Sequence, residues 1–465
     1  MNDRYFNLHD RRHSSTNTTL FDTVMPMKRL FFFLLCSTLC SIIQARNEYC
    51  GPSPDSSGIR VSDGGALVQV WPTGRPRVDH WRLTKAIARA NIGGTVWLCE
   101  GTFNMGSNFG NRHTVVIRKA LTLEGVYIDQ EWQTIVKGGG DGLRPYFPDS
   151  VMGPVHIATV LGAVTIDGLW FRDWINKAVY VASVDGFTFT NSKLSHPRIA
   201  KNRGFPFGFV DYVHGIIATG RASRGSFVIT NNVFDITFGD DTNFRPNDAQ
   251  PCCLYGFPPT RFDNIQIEDN IIVTENEGLE LLGNLPLKQS SIYIRNNTID
   301  MSYKLKGWPD TYAILAGGNA HTSEFVIEDN VLTLNNGFYS NPEDFAVVGV
   351  ISLTGENFRV RNNRIEVQDF DGRIFRFGNA LFGHSITDSV FEDNEIVGSY
   401  KGIGVDFTGG QLNKSRRNVF RLGTSLAAAS VGSTTIRASG ARVCGNTWEG
   451  DLGTVEGDLD AVCRL

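Results

Sequence analysis

Two adjacent carboxylates and a histidine are the first residues whose types and spacing suit catalysis. Asp240 and Asp241 lie side by side in the segment Gly239-Asp-Asp-Thr-Asn243, and His214 precedes them in the chain. Inverting hydrolysis of a glycosidic bond needs one carboxyl group that donates a proton and another that activates water, about 6.5 to 9.5 Å apart. His214, Asp240 and Asp241 are therefore our candidate catalytic residues. The alternative is a polar turn in which the Asp side chains bind backbone N–H groups.

A second group of residues is basic and occupies one short segment. It consists of His196, Arg198, Lys201 and Arg203. Removing the proton next to a uronate carboxylate requires a cation that neutralises the carboxylate and a base such as Lys, Arg, His or Tyr. We predict that these four residues bind substrate. The alternative is a solvent-exposed loop that carries positive charge.

A third group appears when short strand-like segments that open with Gly or Ala are aligned. The residues immediately before the Gly or Ala are Lys177, His214, Glu277, Tyr312, Asn379 and Lys401, and Val348 interrupts the series. If the segments are equivalent strands, these residues form a polar row along one edge that suits a sugar chain. We assign Lys177, Glu277 and Tyr312 to substrate binding. The alternation of a strand can equally bury the whole row.

Motifs for cofactors are absent from the sequence. Cys252 and Cys253 are adjacent and have no His at ligand spacing, so no metal site is predicted. Neither a glycine-rich phosphate loop nor a Ser nucleophile motif occurs. Loop carboxylates can bind Ca²⁺ without a recognisable pattern, so Ca²⁺ is the one cofactor that we keep open.

The elements that position these residues follow from a recurrent phrase. Apolar residues alternate with other residues and are followed by Asn or Asp and then Asn, at intervals of about 30 residues, which is typical of a repeat architecture. The copies are Phe227–Asn232, Ile265–Asn270, Ile292–Asn297, Phe325–Asn330, Phe358–Asn363 and Val390–Asn394, with looser forms at Phe187–Ser192 and Arg442–Asn446.

Each phrase predicts a strand followed by a bend. Two families of strands recur in the same order with no helices between them, which excludes βαβ units and favours parallel sheets wound into a helix. Alternate apolar residues, such as Phe227 and Ile229, should face inward and stack in columns. The last Asn of each phrase should face inward at the bend, binding its own turn and the Asn amide of the next coil. We assign these asparagines to structure, not to catalysis.

One helix is predicted, over residues 79–91. Leu83, Ile87 and Ala90 share a face, Asp79 is available as the N-cap, and Gly93-Gly94 ends the pattern. This helix precedes the coils and would cap their first turn.

The helix, the segments Gly93–Phe103 and Val115–Gly125, and the Asn-containing coils resemble the right-handed parallel β-helix proteins of the pectin-lyase-like superfamily. The resemblance covers roughly residues 79–450. It implies an all-β, right-handed parallel β-helix (solenoid) with an N-terminal capping helix.

No single reaction follows from the resemblance. The superfamily contains polysaccharide lyases, inverting hydrolases, uronate epimerases, pectin esterases, phage tail spikes and proteins without known catalysis. The Asn-Thr-Asp, Gly-His-Gly and Arg-Ile-Lys motifs of polygalacturonases are absent, as is the Arg-x-Pro-x-x-Arg motif of pectate lyases. In such a solenoid, ligands bind in a groove walled by long loops, here 193–225, 239–264, 300–323 and 335–356.

The N-terminal residues predict export. Residues 27–45 have a basic start, an apolar core and a small residue at the end, as a secretory signal peptide does. We treat residues 1–26 as an unstructured or mis-annotated upstream segment and residues 46–465 as a single β-helix domain. For the cysteines that remain, we favour pairing Cys50 with Cys99 and Cys444 with Cys463, with free buried thiols as the alternative.

Charge narrows the range of partners. The net charge of -4 and the lack of a Lys/Arg block argue against nucleic acid, and no later segment is apolar enough to span a membrane. We expect a secreted protein, extracellular or periplasmic, that binds an acidic or neutral polysaccharide along its flank and cleaves it by β-elimination or inverting hydrolysis. A non-catalytic β-helix binding protein is the competing hypothesis, and the oligomeric state stays open.

Overall fold

Short strands dominate the chain, as the alternation of apolar residues predicts. The computed structural model describes residues 50–53, 55–106, 114–138, 153–174, 177–197, 211–219, 223–237, 249–256, 262–274, 277–281, 290–303, 312–317, 322–336, 349–369, 376–398, 401–406, 413–422, 434–438, 441–449 and 452–457. All of these residues belong to one unit, Tyr49–Leu465. The predicted signal peptide (27–45) and the segment before it (1–26) lie outside the described residues.

The described strands form three long sheets and one small hairpin. The 14 strands of sheet A are β1 (Ile59–Ser62), β2 (Leu67–Val70), β3 (Thr95–Leu98), β6 (Leu121–Glu124), β11 (Val164–Asp167), β14 (Phe187–Thr190), β17 (Ser226–Thr230), β20 (Asn264–Glu268), β23 (Ser290–Arg295), β26 (Thr322–Glu328), β29 (Phe358–Arg361), β32 (Val390–Glu392), β35 (Asn413–Arg416) and β38 (Ala441–Cys444).

The 12 strands of sheet B are β4 (Gly101–Asn104), β9 (Thr134–Lys137), β12 (Trp170–Arg172), β15 (Lys193–Ser195), β18 (Val233–Ile236), β21 (Ile271–Thr274), β24 (Thr298–Tyr303), β27 (Val331–Asn336), β30 (Arg364–Asp369), β33 (Glu395–Gly398), β36 (Val419–Leu422) and β39 (Thr447–Glu449). The hairpin consists of β7 (Tyr127–Ile128) and β8 (Glu131–Trp132).

The 12 strands of sheet C are β5 (Val115–Ile117), β10 (Val155–Val160), β13 (Lys177–Val184), β16 (Asp211–Ala218), β19 (Ala249–Gly256), β22 (Glu277–Leu281), β25 (Tyr312–Gly317), β28 (Gly349–Glu356), β31 (Arg376–Thr387), β34 (Lys401–Asp406), β37 (Thr434–Ala438) and β40 (Leu452–Gly457).

The chain passes through sheets A, B and C in that order, again and again. From β3 onward each strand of the three long sheets pairs in parallel with the equivalent strand of the next coil, as β14 does with β17 and β17 with β20. Such winding with no intervening helix is a parallel β-helix. The fold class predicted from the sequence is therefore confirmed.

The first coil is capped by a helix and an antiparallel strand pair. Helix α1 spans Pro76–Arg89, and β1 pairs with β2 in antiparallel fashion. The prediction of Asp79 as the N-cap is wrong, because Pro76, with its preset φ, starts the helix earlier. Asp79 is instead buried in the first turn, where its carboxylate accepts hydrogen bonds from the backbone N–H of Thr73 (2.7 Å) and of Asn104 (2.9 Å). Its side chain thus ties α1 to β4.

The predicted disulfide at this end is present. Cys50 and Cys99 are bonded, with their Cα atoms 5.6 Å apart, and they pack with Trp71. The preferred pairing of Cys444 with Cys463 lies outside the described side chains.

Inward-facing side chains stack in columns through the solenoid. Phe227 and Ile229, placed on one face by their alternation, are 3% and 1% exposed. The Phe187 and Phe227 rings lie 5.4 Å apart between adjacent coils, and the Phe325 and Phe358 rings 4.9 Å apart. Each coil therefore buries its apolar face against its neighbours, which a single coil cannot do alone.

An asparagine ladder runs through the bend from sheet A to sheet B, which we call the A–B corner. Asn270 shows the repeated pattern: its Nδ2 donates to the carbonyl of Ile229 (2.9 Å) and to Oδ1 of Asn297 (2.9 Å), and its backbone N–H donates to the same Oδ1 (3.1 Å). The ladder predicted from the sequence is confirmed. Its described members are Asn232, Asn270, Asn297, Asn330, Asn363, Asn394, Asn418 and Asn446.

The residue before each ladder asparagine explains why the phrase contains two Asn or Asp residues. In six copies this residue has a φ between 52° and 57°. Asn and Asp tolerate the left-handed region better than other residues with a Cβ. The first residue therefore turns the chain, and the second faces inward and forms hydrogen bonds with the neighbouring coils.

Candidate functional site

The bend from sheet B to sheet C, which we call the B–C corner, contains the residues that the sequence singled out. Lys177 pairs in register with His214, His214 with Cys252, Cys252 with Glu277, and Glu277 with Tyr312. These five residues are the corner row. The predicted row omitted Cys252, because the residue after it is Cys253 and not Gly or Ala.

The row does not continue as predicted beyond Tyr312. Ile314 pairs with Ile351, so the equivalent position in the next coil belongs to Gly349 and not to Val348. Asn379 pairs with Gly349, but Lys401 pairs with Arg376, because the register shifts within β31. Lys401 therefore lies outside the row.

The described side chains of the row are buried. Lys177 is 9% exposed, His214 5%, Glu277 1% and Tyr312 8%. The polar row is therefore not an exposed ridge, and of the two outcomes that the alternation left open, burial is the one observed.

The Lys177 side chain nevertheless points to the outside of the coil. Ala178 and Val179 are both fully buried, so two successive side chains face the interior. This reverses the alternation and puts Lys177 and Tyr180 on the same outer face. The ammonium of Lys177 accordingly lies 4.7 Å from the centroid of the Tyr180 ring.

Small residues allow the chain to turn inward directly after the row. A Cβ on Gly215 would lie 2.5 Å from the carbonyl oxygen of Cys253 and 3.2 Å from side-chain atoms of Leu194 and Ile236. A Cβ on Gly278 would lie 2.5 Å from the carbonyl oxygen of Ala313. At Gly215 and Gly278 a side chain would thus meet the backbone of the next coil of sheet C.

Burial and a neighbouring cation keep His214 neutral. Removal from water, with a further effect from Lys177, lowers the pKa of His214 from 6.5 to about 3. The Trp174 indole donates to the His214 backbone carbonyl at 3.0 Å, which anchors this position in the corner. His214 at neutral pH is therefore an uncharged imidazole beside a buried ammonium.

A histidine and a tyrosine that the sequence reasoning missed lie on the same outer face. His156 pairs in register with Tyr180, and their ring centroids are 5.0 Å apart. The Thr219 hydroxyl donates to the Tyr180 phenolic oxygen at 2.7 Å. We call His156, Lys177, Tyr180 and Thr219 the outer-face cluster. The alternation of Val155-His-Ile, with its polar residue facing outward, was the signal that could have identified His156.

The ionisation of His156 suits a proton acceptor. Its pKa is lowered by burial first, and then by the positive charges of Arg118 and Lys177. Its Nε2 is buried and has no hydrogen-bond partner within the described residues. A buried polar atom left in this state costs about 1 to 3 kcal/mol, and each such atom in a native protein requires an explanation.

A buried thiol lies beside the corner row but cannot serve as a nucleophile. Cys253 is unpaired and completely buried. Burial raises its pKa, and the nearby carboxylates of Asp235 and Glu277 raise it further. A thiolate does not form under these conditions.

The remaining predicted site residues fall largely outside the described part of the chain. Asp240 and Asp241, and Arg198, Lys201 and Arg203, are among the residues that the structure does not describe. His196 is described: it is exposed, and its Nδ1 lies 2.8 Å from the Ser195 hydroxyl.

The strands that flank four of the predicted insertions meet at the B–C corner. The segments 198–210, 238–248, 304–311 and 337–348 each connect a strand of sheet B to a strand of sheet C. All four therefore begin and end at the B–C corner.

Neither metal ligation nor a membrane span is found within the described residues. No group of three or more His, Cys, Asp or Glu side chains there is placed to hold a metal ion. No helix among these residues is both long and apolar enough to cross a bilayer.

Comparison with known proteins gives weak likenesses. No protein-family model and no curated protein matches the chain. Among solved structures it is similar to the A-module of the mannuronan C-5 epimerase AlgE6 of Azotobacter vinelandii, with 13% identity and a TM-score of 0.31 over 80% of this chain and 95% of that one. It is also similar to tailspike protein 3 of bacteriophage CBA120, with 11% identity and a TM-score of 0.32 over 82% of this chain and 57% of that one. These likenesses assign no activity, so the architecture rests on the strand pairing above.

Proposed function

We propose that the protein binds an acidic polysaccharide across the B–C corner and cleaves it by β-elimination at the outer-face cluster. The observation that carries this proposal is the contact of His156, Tyr180 and Lys177 on one face, with a buried His156 nitrogen that has no partner among the described residues. A substrate group would complete that hydrogen bond.

The reaction divides naturally among these side chains. In β-elimination of a uronate, a base takes the proton from C5, the electrons of that C–H bond form the C4=C5 double bond, and the C4–O bond breaks as its oxygen takes up a proton. His156 is the base, because its lowered pKa leaves the imidazole neutral at neutral pH. Tyr180 donates the proton to the leaving oxygen, since its own oxygen already accepts from Thr219.

Positive charge stabilises the carbanion-like state that develops. Lys177 and Arg118 both lie near enough to His156 to lower its pKa. Beside a uronate carboxylate the same charges neutralise the anion and favour loss of the C5 proton. Hydrolysis would gain less from such cations, which is why β-elimination is preferred to the inverting route through His214, Asp240 and Asp241.

We also propose that the protein is exported. The Cys50–Cys99 disulfide supports an oxidising compartment, and the signal-like pattern of residues 27–45 agrees with it. N-terminal sequencing of the protein recovered outside the producing cell tests this, and recovery of the whole chain from the cytosol would contradict it.

The catalytic proposal is tested by incubating the protein with a panel of polyuronates. Ultraviolet absorbance of the unsaturated product and release of reducing ends are measured together. We expect both signals, with a rate loss of about 100-fold or more in Tyr180→Phe and in His156→Gln. Tyr293→Phe is the matched control, because this tyrosine binds Glu324 on sheet A, away from the cluster.

Other outcomes are equally informative. Reducing ends without unsaturated product would overturn β-elimination in favour of hydrolysis, and Asp240→Asn, Asp241→Asn and His214→Ala would then be expected to abolish turnover. Binding without either signal across the panel would identify a non-catalytic binding protein.

A further inference from the structure

Two tryptophans, one on the outer face of sheet B and one in the β7–β8 hairpin, contact the same lysine. Trp132 ends the β7–β8 hairpin, Trp170 opens β12, and Lys193 pairs in register with Trp170 in the next coil. The Lys193 ammonium lies 5.0 Å from the centroid of the Trp170 ring and 5.5 Å from that of Trp132. A single cation is therefore held against both indoles.

Both indoles are fixed by hydrogen bonds. Trp132 Nε1 donates to the backbone carbonyl of Asn191, and Trp170 Nε1 donates to the Ser195 hydroxyl, each at 2.7 Å. The Tyr127 ring packs 5.1 Å from Trp132, from the other strand of the hairpin. The three rings are only partly buried, so the surface presents oriented aromatic groups to solvent.

Basic side chains lie close to the tryptophan rings. Asp173 interacts with both Lys137 (3.8 Å) and Arg172 (3.3 Å), and the Arg172 guanidinium also lies 5.1 Å from the Trp170 ring centroid. No carboxylate of the described part of the chain forms an ion pair with Lys193. Lys193 and Arg172 therefore place positive charge directly against the tryptophan rings.

We infer that Trp132, Trp170 and Lys193, with Tyr127 and Arg172 beside them, form a second binding surface for an acidic polysaccharide. Flat aromatic faces pack against the apolar face of a sugar ring, while the ammonium and guanidinium groups bind its carboxylate or sulfate groups. The surface lies on β12, β15 and the hairpin, whereas the outer-face cluster lies on β10 and β13 and directly after the end of β16. It anchors the polymer on sheet B and takes no part in bond cleavage.

The charges favour a polysaccharide over nucleic acid as the ligand. Aromatic side chains with cations also bind single strands, but a protein of net charge -4 without a basic groove lacks the long-range attraction that such binding uses. The inference takes only the class of ligand from the proposed function and stands whether or not the cluster is catalytic.

Binding is measured by calorimetry on the full chain, with polygalacturonate oligosaccharides and heparin fragments as probes. We expect Trp170→Ala and Lys193→Gln each to raise Kd about tenfold, with affinity falling as salt is added. Trp81→Ala and Lys85→Gln are the matched controls: Trp81 is 46% exposed on α1, Lys85 is exposed on the same helix, and both should bind like wild type. Thermal melting confirms that each variant is folded.

A variant that keeps an aromatic ring at position 170 tests whether the ring itself binds the ligand. Trp170→Phe should recover part of the affinity that Trp170→Ala loses. If turnover is detected, Trp170→Ala should raise KM with kcat unchanged, whereas Tyr180→Phe should lower kcat. Wild-type affinity in Trp170→Ala and Lys193→Gln, equal losses on neutral dextran, or tighter binding of single-stranded DNA would each overturn the inference.

Discussion

The two corners of each coil bury polar side chains in different ways. At the A–B corner nearly every coil contributes the same amide, and each amide bonds to the next, as Asn297 does to Asn330 at 3.0 Å. At the B–C corner successive coils contribute a lysine, a histidine, a cysteine, a glutamate and a tyrosine. The A–B corner therefore repeats one type of side chain, whereas the type of side chain at the B–C corner differs from coil to coil.

This difference indicates that the A–B corner is structural and that the B–C corner is the candidate for function. Identical amides satisfy one another wherever coils stack, so repetition offsets the cost of burying them. Dissimilar side chains gain nothing from repetition, and burying an ionisable group costs free energy unless its partners compensate. Variation at buried positions therefore marks the corner where chemistry is expected, and the following changes test the comparison from the largest expected effect to the smallest.

Lowering the pH should have the largest effect on stability, through His214 at the B–C corner. The unfolded chain protonates His214 below about pH 6.5, and the folded protein does so only near pH 3. The stability that the neutral imidazole contributes is complete above pH 6.5, declines as the pH falls, and is lost below about pH 3. At about 1.4 kcal/mol per pKa unit this corresponds to roughly 5 kcal/mol.

Urea unfolding of wild type and of His214→Gln between pH 3 and 6.5 measures this difference. The gap between the two proteins should shrink as the pH falls. His156→Gln should show a smaller change in the same direction, because His156 is only half-buried and its pKa is also lowered. Parallel stability curves for wild type and His214→Gln would show that His214 does not titrate as proposed.

Breaking the A–B ladder should have the next largest effect. Asn297→Ala removes the acceptor of two hydrogen bonds from Asn270 and the donor to the Ile267 carbonyl and to Asn330. Buried groups on both neighbouring coils lose partners, so we expect a loss of about 3 kcal/mol in the free energy of unfolding.

The adjacent asparagine provides the control for the ladder. Asn296 is exposed and has a φ of 52°, which Gly adopts freely, so Asn296→Gly should change stability by less than about 0.5 kcal/mol. Equal losses in the two variants would show that the turn, and not the buried ladder, supplies the stability.

Adding a methyl group at the B–C corner should lower the free energy of unfolding somewhat less. Gly215→Ala places a methyl group 2.5 Å from the backbone carbonyl of Cys253, and we expect a loss of about 2 kcal/mol. Ala178→Gly, at the same position one coil earlier, should lose less than about 1 kcal/mol, because it removes a methyl group that fits. Chemical denaturation compares the pair, and a neutral Gly215→Ala would mean that the corner has room to adjust.

Removing ion pairs from the outer face of sheet A should have the smallest effect on stability. Glu268, Arg295, Glu328, Arg361, Glu392 and Arg416 occupy one register position and alternate in charge. Glu328 contacts Arg295 at 2.7 Å and also Arg361. Because the arginines are partly exposed, Glu328→Gln should cost about 1 kcal/mol at low salt and less at high salt. A loss that salt leaves unchanged would contradict an electrostatic origin.

Local patterns in the sequence were sufficient to predict the asparagine ladder and the columns of inward-facing side chains. The Asn phrase identifies strand, turn and inward amide within a few residues, because αL geometry and alternation are local properties. The same reasoning located the start of most sheet C strands, since Ala178, Gly215, Gly278 and Ala313 each follow a residue of the corner row.

The candidate site could be predicted only in part. Lys177, His214, Glu277 and Tyr312 were selected by alignment, but their burial and the place of Cys252 among them depended on the register. His156 and Tyr180 are separated by a complete coil, and nothing in their own segments indicates that they meet. Charge alternation on sheet A was missed for the same reason.

The sequence by itself therefore determined the repeating coil, the asparagine ladder and the small residues that begin the sheet C strands, because each depends on neighbours along the chain. Only the tertiary structure decided which side chains of different coils meet: Tyr180 against His156, and Lys193 against Trp170 and Trp132. The physical reason is that connections between strands vary in length, so contacts across coils are set by strand register and not by spacing in the sequence.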